Sequence, residues 1–311
     1  MLTRNSRICV TSRTFVKSKE LRNLLEKEFD NITYNEEGIH FDEEGLIAFL
    51  EQCDGAIVSE DKISKLVIDR LPNLKIISKY GVGLDSIDLE YLKKKQVKLA
   101  WKSGINAYSV AELALSYLIL MLRESSVLNN KLIEGKWEKA INGRDLSEST
   151  IGILGFGQIG RKLASFLEPH GSEIFTYDPF ITDKTSLPNN VNFLDFDSLL
   201  EKVDALSVHV PLSDETRGLI DFQQINLMKE NSVLINLSRG GVVNEEAVLR
   251  ALKAGHLAGA AFDVFENEPG FNKELVSLNN FFSTPHIAGT SRSSSLKLGL
   301  SSIQGLVENK H

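Results

Sequence analysis

Cysteine is scarce in this chain, with only Cys9 and Cys53 among 311 residues. Two cysteines are too few for the disulfide framework of a small secreted domain or for a cysteine-ligated zinc site. The sequence therefore indicates a protein of a reducing compartment, and we expect it in the cytoplasm. No metal site is predicted.

Long apolar runs are also missing. The most apolar stretch, residues 110–122, contains Glu112 and is too short to cross a bilayer as a helix. The first residues contain no apolar segment followed by a cleavage site, so we expect no signal peptide. These patterns predict a protein that has no membrane partner.

An excess of positive charge is absent as well. Lys and Arg total 35 against 42 Asp and Glu, which gives a net charge of −7. This balance opposes nonspecific binding to nucleic acid or anionic lipid, and we predict neither as a partner. The content of hydrophobic residues, 42%, and of charged residues, 25%, is ordinary for a globular protein, and the length allows two domains.

A glycine-rich stretch stands out against this background. Residues 151–160 read IGILGFGQIG, an apolar strand-like run that leads into G-x-G-x-x-G, and helical spacing begins after it. A strand followed by a glycine turn and a helix is the context of a dinucleotide-binding fingerprint. Gly155 would permit the tight turn, Gly157 would let a pyrophosphate approach the backbone, and Gly160 would let the helix pack closely on the strand.

Asp178 stands where a dinucleotide-binding unit places its ribose-binding carboxylate. It ends the predicted strand 173–177, about 20 residues after the glycines. A carboxylate there accepts hydrogen bonds from the ribose hydroxyls and repels a 2′-phosphate, which favours NAD over NADP. The alternative is that Asp178 and Pro179 form only a polar turn.

Strands and helices alternate along the chain, which predicts an α/β fold of parallel sheets with helices on both faces. Residues 108–134 form one long helical pattern, nearly apolar all round at its centre, as is typical of a helix buried between two masses. A polar surface loop, 135–148, is expected after it. We expect the long helix to connect a discontinuous substrate domain, residues 1–100 plus 287–311, with an NAD-binding domain, residues 101–286.

Three polar residues follow apolar strands, where open α/β sheets form their ligand crevice: Arg239, Glu268 and His286. The planar fork of arginine suits a carboxylate, and histidine exchanges protons near neutral pH. A neighbouring carboxylate orients the histidine and raises its pKa. With NAD, this set suits hydride transfer to and from a 2-oxo acid. The alternative for His286 alone is an ordinary loop histidine.

Longer motifs follow one another in a specific order along the chain. They are GVGLDSID (81–88), SVAE (109–112), GFGQIG (155–160), HVPL (209–212), NLSRGG (236–241), AFDVF (261–265), EP (268–269) and TPHIAG (284–289). In this order they resemble those of the D-isomer-specific 2-hydroxyacid dehydrogenases, particularly of enzymes like D-3-phosphoglycerate dehydrogenase. The resemblance implies two doubly wound parallel-sheet domains, a Rossmann NAD-binding domain and a flavodoxin-like substrate domain.

The resemblance also implies roles for single residues. Arg239 is expected to anchor the substrate, His286 to act as general acid/base, and Glu268 to be its partner. Besides Arg239 and His286, the implied cofactor-binding residues are Gly155, Gly157, Gln158, Ile159, Gly160, Asp178, Val210, Leu237, Ser238, Asp263, Ala288 and Gly289. The implied substrate-binding residues are Lys79, Tyr80, Gly81, Val82, Arg239 and His286. Such enzymes are usually dimeric through the connector helix, so we expect a homodimer.

Departures from the family pattern bear on the substrate. Phosphoglycerate enzymes commonly carry an arginine where this chain has Ser59 and Glu60, and a glutamate disfavours a phosphate. Lys79 remains as one cation, and Trp101 is expected to pack at the domain junction or to form a pocket wall. The length leaves no room for the C-terminal regulatory domain of longer phosphoglycerate enzymes, so we expect no feedback control through it.

The sequence as a whole predicts an NAD-dependent oxidoreductase acting on a small D-2-hydroxy acid or 2-oxo acid, with 3-phosphoglycerate and phosphohydroxypyruvate as one candidate pair. One alternative is a hydroxypyruvate or glyoxylate reductase. A related enzyme acting on formate or phosphite is another. A non-catalytic NAD(H)-sensing protein like the family's co-repressors is the alternative from a different functional class.

Overall fold

A computed structural model describes residues 1–139 and 142–309. They divide into two compact units, one comprising Met1–Asn106 and the residues from Gly289 on, the other Ala107–Ala288. The predicted substrate and NAD-binding domains, divided after residues 100 and 286, stay a prediction. Residues 140 and 141, in the predicted loop 135–148, and residues 310 and 311, at the end of the predicted substrate domain, lie outside the described residues.

The first unit alternates strands and helices from its first strand on. In chain order its elements are β1 (Arg7–Val10), α1 (Arg13–Lys17), α2 (Lys19–Glu28), β2 (Asn31–Tyr34), α3 (Glu43–Leu50), β3 (Gly55–Val58), α4 (Lys65–Arg70), β4 (Ile76–Lys79), α5 (Leu89–Lys94) and β5 (Lys98–Ala100). The strands pair in parallel in the order β2-β1-β3-β4-β5, which is the flavodoxin order. This confirms the fold predicted for the first domain.

Local chemistry sets where these helices begin. Ser18, Asp42 and Ser64 each accept a hydrogen bond from a backbone N–H in the first turn of α2, α3 and α4, respectively. The edge strand β2 alternates polar, exposed residues with partly buried ones. It has no apolar run to signal a strand, which is why the sequence did not reveal it.

The second unit begins with two helices and then alternates. In chain order its elements are α6 (Ala107–Leu122), α7 (Ser125–Ile133), β6 (Thr150–Leu154), α8 (Gln158–Leu167), β7 (Glu173–Tyr177), β8 (Val191–Phe193), α9 (Phe196–Lys202), β9 (Ala205–Val208), α10 (Phe222–Leu227), β10 (Ser232–Asn236), α11 (Glu245–Ala254), β11 (Leu257–Phe262), α12 (Lys273–Val276) and β12 (Phe281–Ser283). The parallel order β12-β11-β10-β9-β6-β7-β8 is a Rossmann sheet with one added strand. Helices α6 and α8 cover one face, and α9, α10 and α11 cover the other.

The prediction of one continuous helix over residues 108–134 is wrong, because two helices occupy this range. The chain breaks at Glu124, whose backbone has φ +52, so that α6 ends at Leu122 and α7 begins at Ser125. Neither glycine nor proline marks the break, and the apolar spacing continues across it. Periodicity therefore carries no sign of the turn.

The final helix, α13 (Arg292–Val307), belongs to the first unit and packs on α2, β4 and β5. Leu298, Ile303 and Leu306 enter the core that α13 shares with β1 and α2. A Cβ at Gly299 would overlap the side chain of Leu21, so the absence of a side chain allows the close approach of the two helices. The residues after the second unit thus complete the fold of the first.

The two cysteines are paired. Cys9 in β1 and Cys53 after α3 form a disulfide, with their Cα atoms 6.1 Å apart. The small number of cysteines excludes a framework of several bridges, but it does not exclude one pair that the topology brings together. This pairing removes the sequence argument for a reducing compartment. In the described part of the chain, no helix has both the length and the apolar character that crossing a membrane requires.

Candidate active site

The glycine fingerprint forms the turn between β6 and α8. Gly155 has φ +91, and a Cβ added there would lie 2.9 Å from the backbone of His209, so this position requires glycine. A Cβ at Gly160 would overlap the carbonyl oxygen of Gly155, which explains the close packing of helix on strand. Sterically, both positions therefore require glycine, and their part in binding a cofactor stays a prediction.

Gly157 differs from the other two glycines. It is the N-cap of α8, and a Cβ added there would have no described atom within 4 Å. No side chain among the described residues caps the helix, which continues with Gln158 and Ile159. Open space beside Gly157, at the positive end of the helix dipole, is an arrangement that suits the pyrophosphate of NAD.

Asp178 is tied to the fingerprint turn. Its Oδ2 accepts the backbone N–H of Phe156 at 2.8 Å, and its Oδ1 accepts that of Phe180 at 2.9 Å. A carboxylate oxygen can accept further hydrogen bonds, so both oxygens keep capacity for ribose hydroxyls. Asp178 thus does more than form a polar turn after β7, because it also binds the backbone of the glycine turn. The glycine turn, the start of α8 and this carboxylate together fit NAD.

The loop after β10 carries Arg239. Asn236 organises this loop, because its Oδ1 accepts from Ser238 N (3.1 Å) and Ser238 Oγ (2.8 Å), while its Nδ2 donates to the carbonyl of Arg239 (3.0 Å). The guanidinium of Arg239 donates to the carbonyl of Ser238 at 2.7 Å. Gly240 follows, and a Cβ there would overlap the carbonyl of Phe265. The loops after β10 and β11 therefore touch, which places Arg239 near the loop that contains Glu268.

Glu268 and His286 form an ion pair. His286 Nδ1 lies 2.7 Å from Glu268 Oε2, and the other oxygen, Oε1, accepts the backbone N–H of Phe265 at 2.8 Å. The hydrogen bond to Glu268 raises the pKa of His286. Burial opposes the charge of Glu268, but the hydrogen bond to His286 and the nearby charges of His286 and Arg239 hold its pKa below the usual value. Nδ1 is thus assigned as the donor to Glu268, which leaves Nε2 for proton exchange with a ligand.

The backbone around His286 is held by Asp263. His286 has φ +53, and its N–H donates to the carbonyl of Asp263 at 2.8 Å. The buried carboxylate of Asp263 accepts the N–H groups of Ile287 (2.8 Å) and Ala288 (2.7 Å), and burial raises its pKa. Asp263 therefore shapes the turn that presents His286, and the cofactor contact implied by the resemblance stays a prediction.

The remaining predicted cofactor residues of the second unit lie at strand ends. Val210 follows β9, Leu237 and Ser238 follow β10, and Ala288 follows β12, all of them buried. Gly289 is assigned to the first unit.

One histidine was not singled out from the sequence. His209 Nε2 lies 2.8 Å from Ser207 Oγ, whereas its buried Nδ1 has no hydrogen-bond partner among the described residues. Burial lowers its pKa to about 4. Its place in the HVPL motif, beside Val210, was the available signal.

The predicted substrate loop belongs to the first unit, directly after β4. Lys79 is buried, and its ammonium donates to the carbonyl of Ser59 and lies 3.5 Å from Ser86 Oγ. The hydroxyl of Tyr80 donates to the carbonyl of Ser295 at 3.2 Å. The cation at this strand end is therefore held by acceptors of the unit itself.

The loop continues through Gly81 and Val82. The indole N–H of Trp101 donates to the carbonyl of Val82 at 2.8 Å, so Trp101 supports this loop from β5. Within residues 1–139 and 142–309, no cluster of three or more His, Cys, Asp or Glu side chains could hold a metal ion.

Comparison with known families identifies the chain. A sequence model for the NAD-binding domain of the D-isomer specific 2-hydroxyacid dehydrogenases matches residues 115–288. This range contains Arg239, Glu268, His286 and the glycine fingerprint. The chain belongs to this family. It is therefore an NAD-dependent oxidoreductase, and the predictions of family, cofactor and enzyme class are confirmed.

Individual relatives of this dehydrogenase differ in their substrates. The chain is 35% identical over 290 residues to hydroxypyruvate reductase from Thermotoga maritima, covering 90% of this chain and 94% of the relative. It is 36% identical over 260 residues to D-3-phosphoglycerate dehydrogenase from Archaeoglobus fulgidus, covering 83% of this chain but 49% of that protein. A solved structure of NAD-dependent formate dehydrogenase from Staphylococcus aureus in complex with NAD is similar, with TM-score 0.83, 26% identity and coverage of 97% and 94% of the two chains.

Proposed function

We propose that this dehydrogenase reduces a small 2-oxo acid, with Arg239 binding the acid and His286 supplying the proton. The observation that carries the proposal is the 2.7 Å contact between His286 Nδ1 and Glu268 Oε2. The loop that contains Glu268 also touches the loop that carries Arg239. The guanidinium binds the carboxylate and polarises the carbonyl. Protonated His286 then gives its Nε2 proton to the carbonyl oxygen, and Glu268 stabilises the imidazolium until that transfer.

NADH, bound at the fingerprint, supplies the hydride that this chemistry needs. Gly157 and the N–H groups of Gln158 and Ile159 are proposed to bind the pyrophosphate, and Asp178 the ribose. In the oxidative direction neutral His286 accepts the hydroxyl proton, so the same pair serves both directions. The Lys79–Val82 loop is proposed to bind the substrate carboxylate through its backbone amides.

We propose a substrate without a charged tail, such as hydroxypyruvate or glyoxylate. The ammonium of Lys79 is engaged by the Ser59 carbonyl, and Arg13, the first residue of α1, is paired with Glu60 at 3.4 Å. Two carboxylates, Glu60 and Asp61, follow β3. This charge distribution disfavours a phosphate at these strand ends, because like charges repel at short range.

The test is a panel of 2-oxo acids with NADH oxidation followed by absorbance. We expect turnover of hydroxypyruvate or glyoxylate and a much lower kcat/KM for phosphohydroxypyruvate. Preference for phosphohydroxypyruvate would overturn the substrate assignment. NADH binding without turnover of any 2-oxo acid would favour the NAD(H)-sensing alternative.

We also propose a homodimer formed through α6 and α7. Large apolar side chains are exposed on α6, on α7 and just after α7: Ile133 is 76% and Trp137 84% accessible, and Ile119 and Leu132 are exposed as well. Large apolar side chains exposed on neighbouring helices are typical of a subunit interface. Sedimentation of the purified protein tests this, and Ile133→Asp is expected to give monomers. We place the enzyme in the cytoplasm, because its reaction depends on a supply of NADH.

A further inference from the structure

Tyr117 lies in the middle of α6, and no motif singles it out. It is only 2% exposed, and its ring meets that of Phe282 edge-on with the centroids 5.3 Å apart. Its hydroxyl lies 2.5 Å from Thr284 Oγ1. A buried tyrosine among apolar helix residues needs such a partner, and here the partner is two residues before His286.

The contact continues from Thr284 to Asp263. Thr284 Oγ1 is hydrogen-bonded to Asp263 Oδ1, and the other partners of this carboxylate are the N–H groups of Ile287 and Ala288. Backbone N–H groups can only donate, so the carboxylate is the acceptor in this group. Thr284 accordingly donates to Asp263, and Tyr117 donates to Thr284. A chain of donors thus runs from α6 into the turn that carries His286.

This turn needs support, because His286 has φ +53. A side chain other than glycine keeps such a conformation only where its surroundings hold it. The carbonyl of Asp263 binds the His286 N–H at 2.8 Å, and its carboxylate binds the next two N–H groups. Any motion of the Asp263 side chain would therefore shift the backbone on the C-terminal side of His286.

We propose that Tyr117 is a positioning residue for His286, acting through Thr284 and Asp263. The proposal rests on the proposed role of His286 as acid/base. The hydroxyl of Tyr117 keeps Thr284 aimed at Asp263, Asp263 keeps the turn in place, and the turn presents the imidazole. The side-chain contacts that carry the proposal are those of Tyr117 with Thr284 and Phe282, and neither residue is among those proposed to bind substrate or cofactor.

The same chain has an electrostatic effect. Glu268, Arg239 and Asp263 are the charged groups that face His286. Glu268 raises the pKa of His286 most, Asp263 raises it as well, and Arg239 lowers it. Burial raises the pKa of Asp263, and the Thr284 hydrogen bond counters that rise. Loss of the Tyr117 hydroxyl would weaken that support, so the pKa of His286 would fall.

The test is Tyr117→Phe, which keeps the ring against Phe282 and removes only the hydroxyl. We expect kcat for reduction to fall roughly tenfold, because small displacements of a catalytic group are costly. The affinity for NADH is expected to stay within about twofold, since no fingerprint contact changes. The upper limb of the kcat–pH profile should move to lower pH.

Two further variants separate positioning from folding. Thr284→Val should reproduce the loss, the double variant should be no worse than the more impaired single variant, and Thr284→Ser should recover most of the rate. Tyr34→Phe is the matched control, because its hydroxyl bonds Glu26 at 3.2 Å in the first unit, and it should leave kcat unchanged.

The outcomes distinguish this proposal from the proposed function. A Tyr117→Phe enzyme with normal kcat and pH profile, or with only a lower melting temperature, would overturn the positioning role while His286→Ala remains inactive. If His286→Ala keeps its turnover, the acid/base assignment itself fails, and with it the basis of the positioning role.

Discussion

Glu268 holds the imidazole of His286 through a 2.7 Å contact between Oε2 and Nδ1, while its Oε1 accepts the N–H of Phe265 at 2.8 Å. The carboxylate is thus held at both oxygens, by the imidazole of His286 and by the backbone of its own loop. A histidine restrained in this way has one nitrogen committed and one nitrogen available.

Reduction should depend on the protonated form of His286. Since the Glu268 hydrogen bond raises its pKa, the rate is expected to be constant at lower pH and to fall as pH rises through that raised pKa. Glu268→Gln should move the fall to lower pH and reduce kcat by roughly a hundredfold. Initial rates across pH measure both. His209 contributes nothing in this range because its pKa is about 4, and a profile flat through neutral pH with chemistry rate-limiting would contradict the assignment.

The same pair should leave a signature in stability. His286 has a raised pKa, so its contribution is present below the usual value of 6.5 and is lost as pH rises through the folded-state pKa. Glu268 has a lowered pKa, so its contribution is present above 4.5 and is lost as pH falls through the folded-state pKa. Denaturant unfolding of wild type and Glu268→Gln should therefore differ most between these limits. A difference that is constant with pH would speak against the pair.

Asp178 should govern cofactor choice. Asp178→Ala removes the carboxylate proposed for the ribose, and we expect the Kd for NADH to rise about tenfold, which corresponds to the loss of a hydrogen bond to a charged group. Discrimination against NADPH should relax because the repulsion of the 2′-phosphate is gone. Fluorescence titration with both cofactors measures this. Asp183→Ala, which removes an exposed carboxylate bonded to Thr185, is the control and should change neither affinity.

Two glycines of the fingerprint should respond differently to alanine. Gly155→Ala adds a Cβ 2.9 Å from the backbone of His209 at a residue with φ +91, so the melting temperature should fall. Gly157→Ala adds a Cβ with no described atom within 4 Å, so stability should be kept while NADH affinity falls. Calorimetry paired with NADH titration separates the effects. Unchanged NADH affinity in Gly157→Ala would remove this position from the pyrophosphate site.

Much of the fold could be predicted because its signals are local. Each strand-like run, the glycine turn and each polar residue after a strand can be recognised within a short stretch of sequence. Parallel topology then brings the ends of the strands to one edge of the sheet. The break at Glu124 had no such signal, because neither glycine nor proline stands there. The edge strand Asn31–Tyr34 lacked an apolar run, since only part of it is buried.

Contacts between distant segments could not be predicted in the same way. Tyr117 meets Thr284 across a long stretch of sequence, and Cys9 meets Cys53 only because β1 and the end of α3 are neighbours in space. The approach of Gly240 to Phe265 depends on how two loops pack. Sequence motifs identified which residues could act, whereas the hydrogen bonds that orient them follow from tertiary structure.

The discontinuity of the first unit has a consequence for the order in which the two units fold. The second unit, Ala107–Ala288, is continuous, and its synthesis is complete before that of α13 begins. Leu298, Ile303 and Leu306 of α13 complete the core beside β1 and α2. The core of the first unit is therefore incomplete until α13 has been synthesised. Because domains fold as units during synthesis, the second unit is expected to fold before the first unit, although the first unit contains the start of the chain.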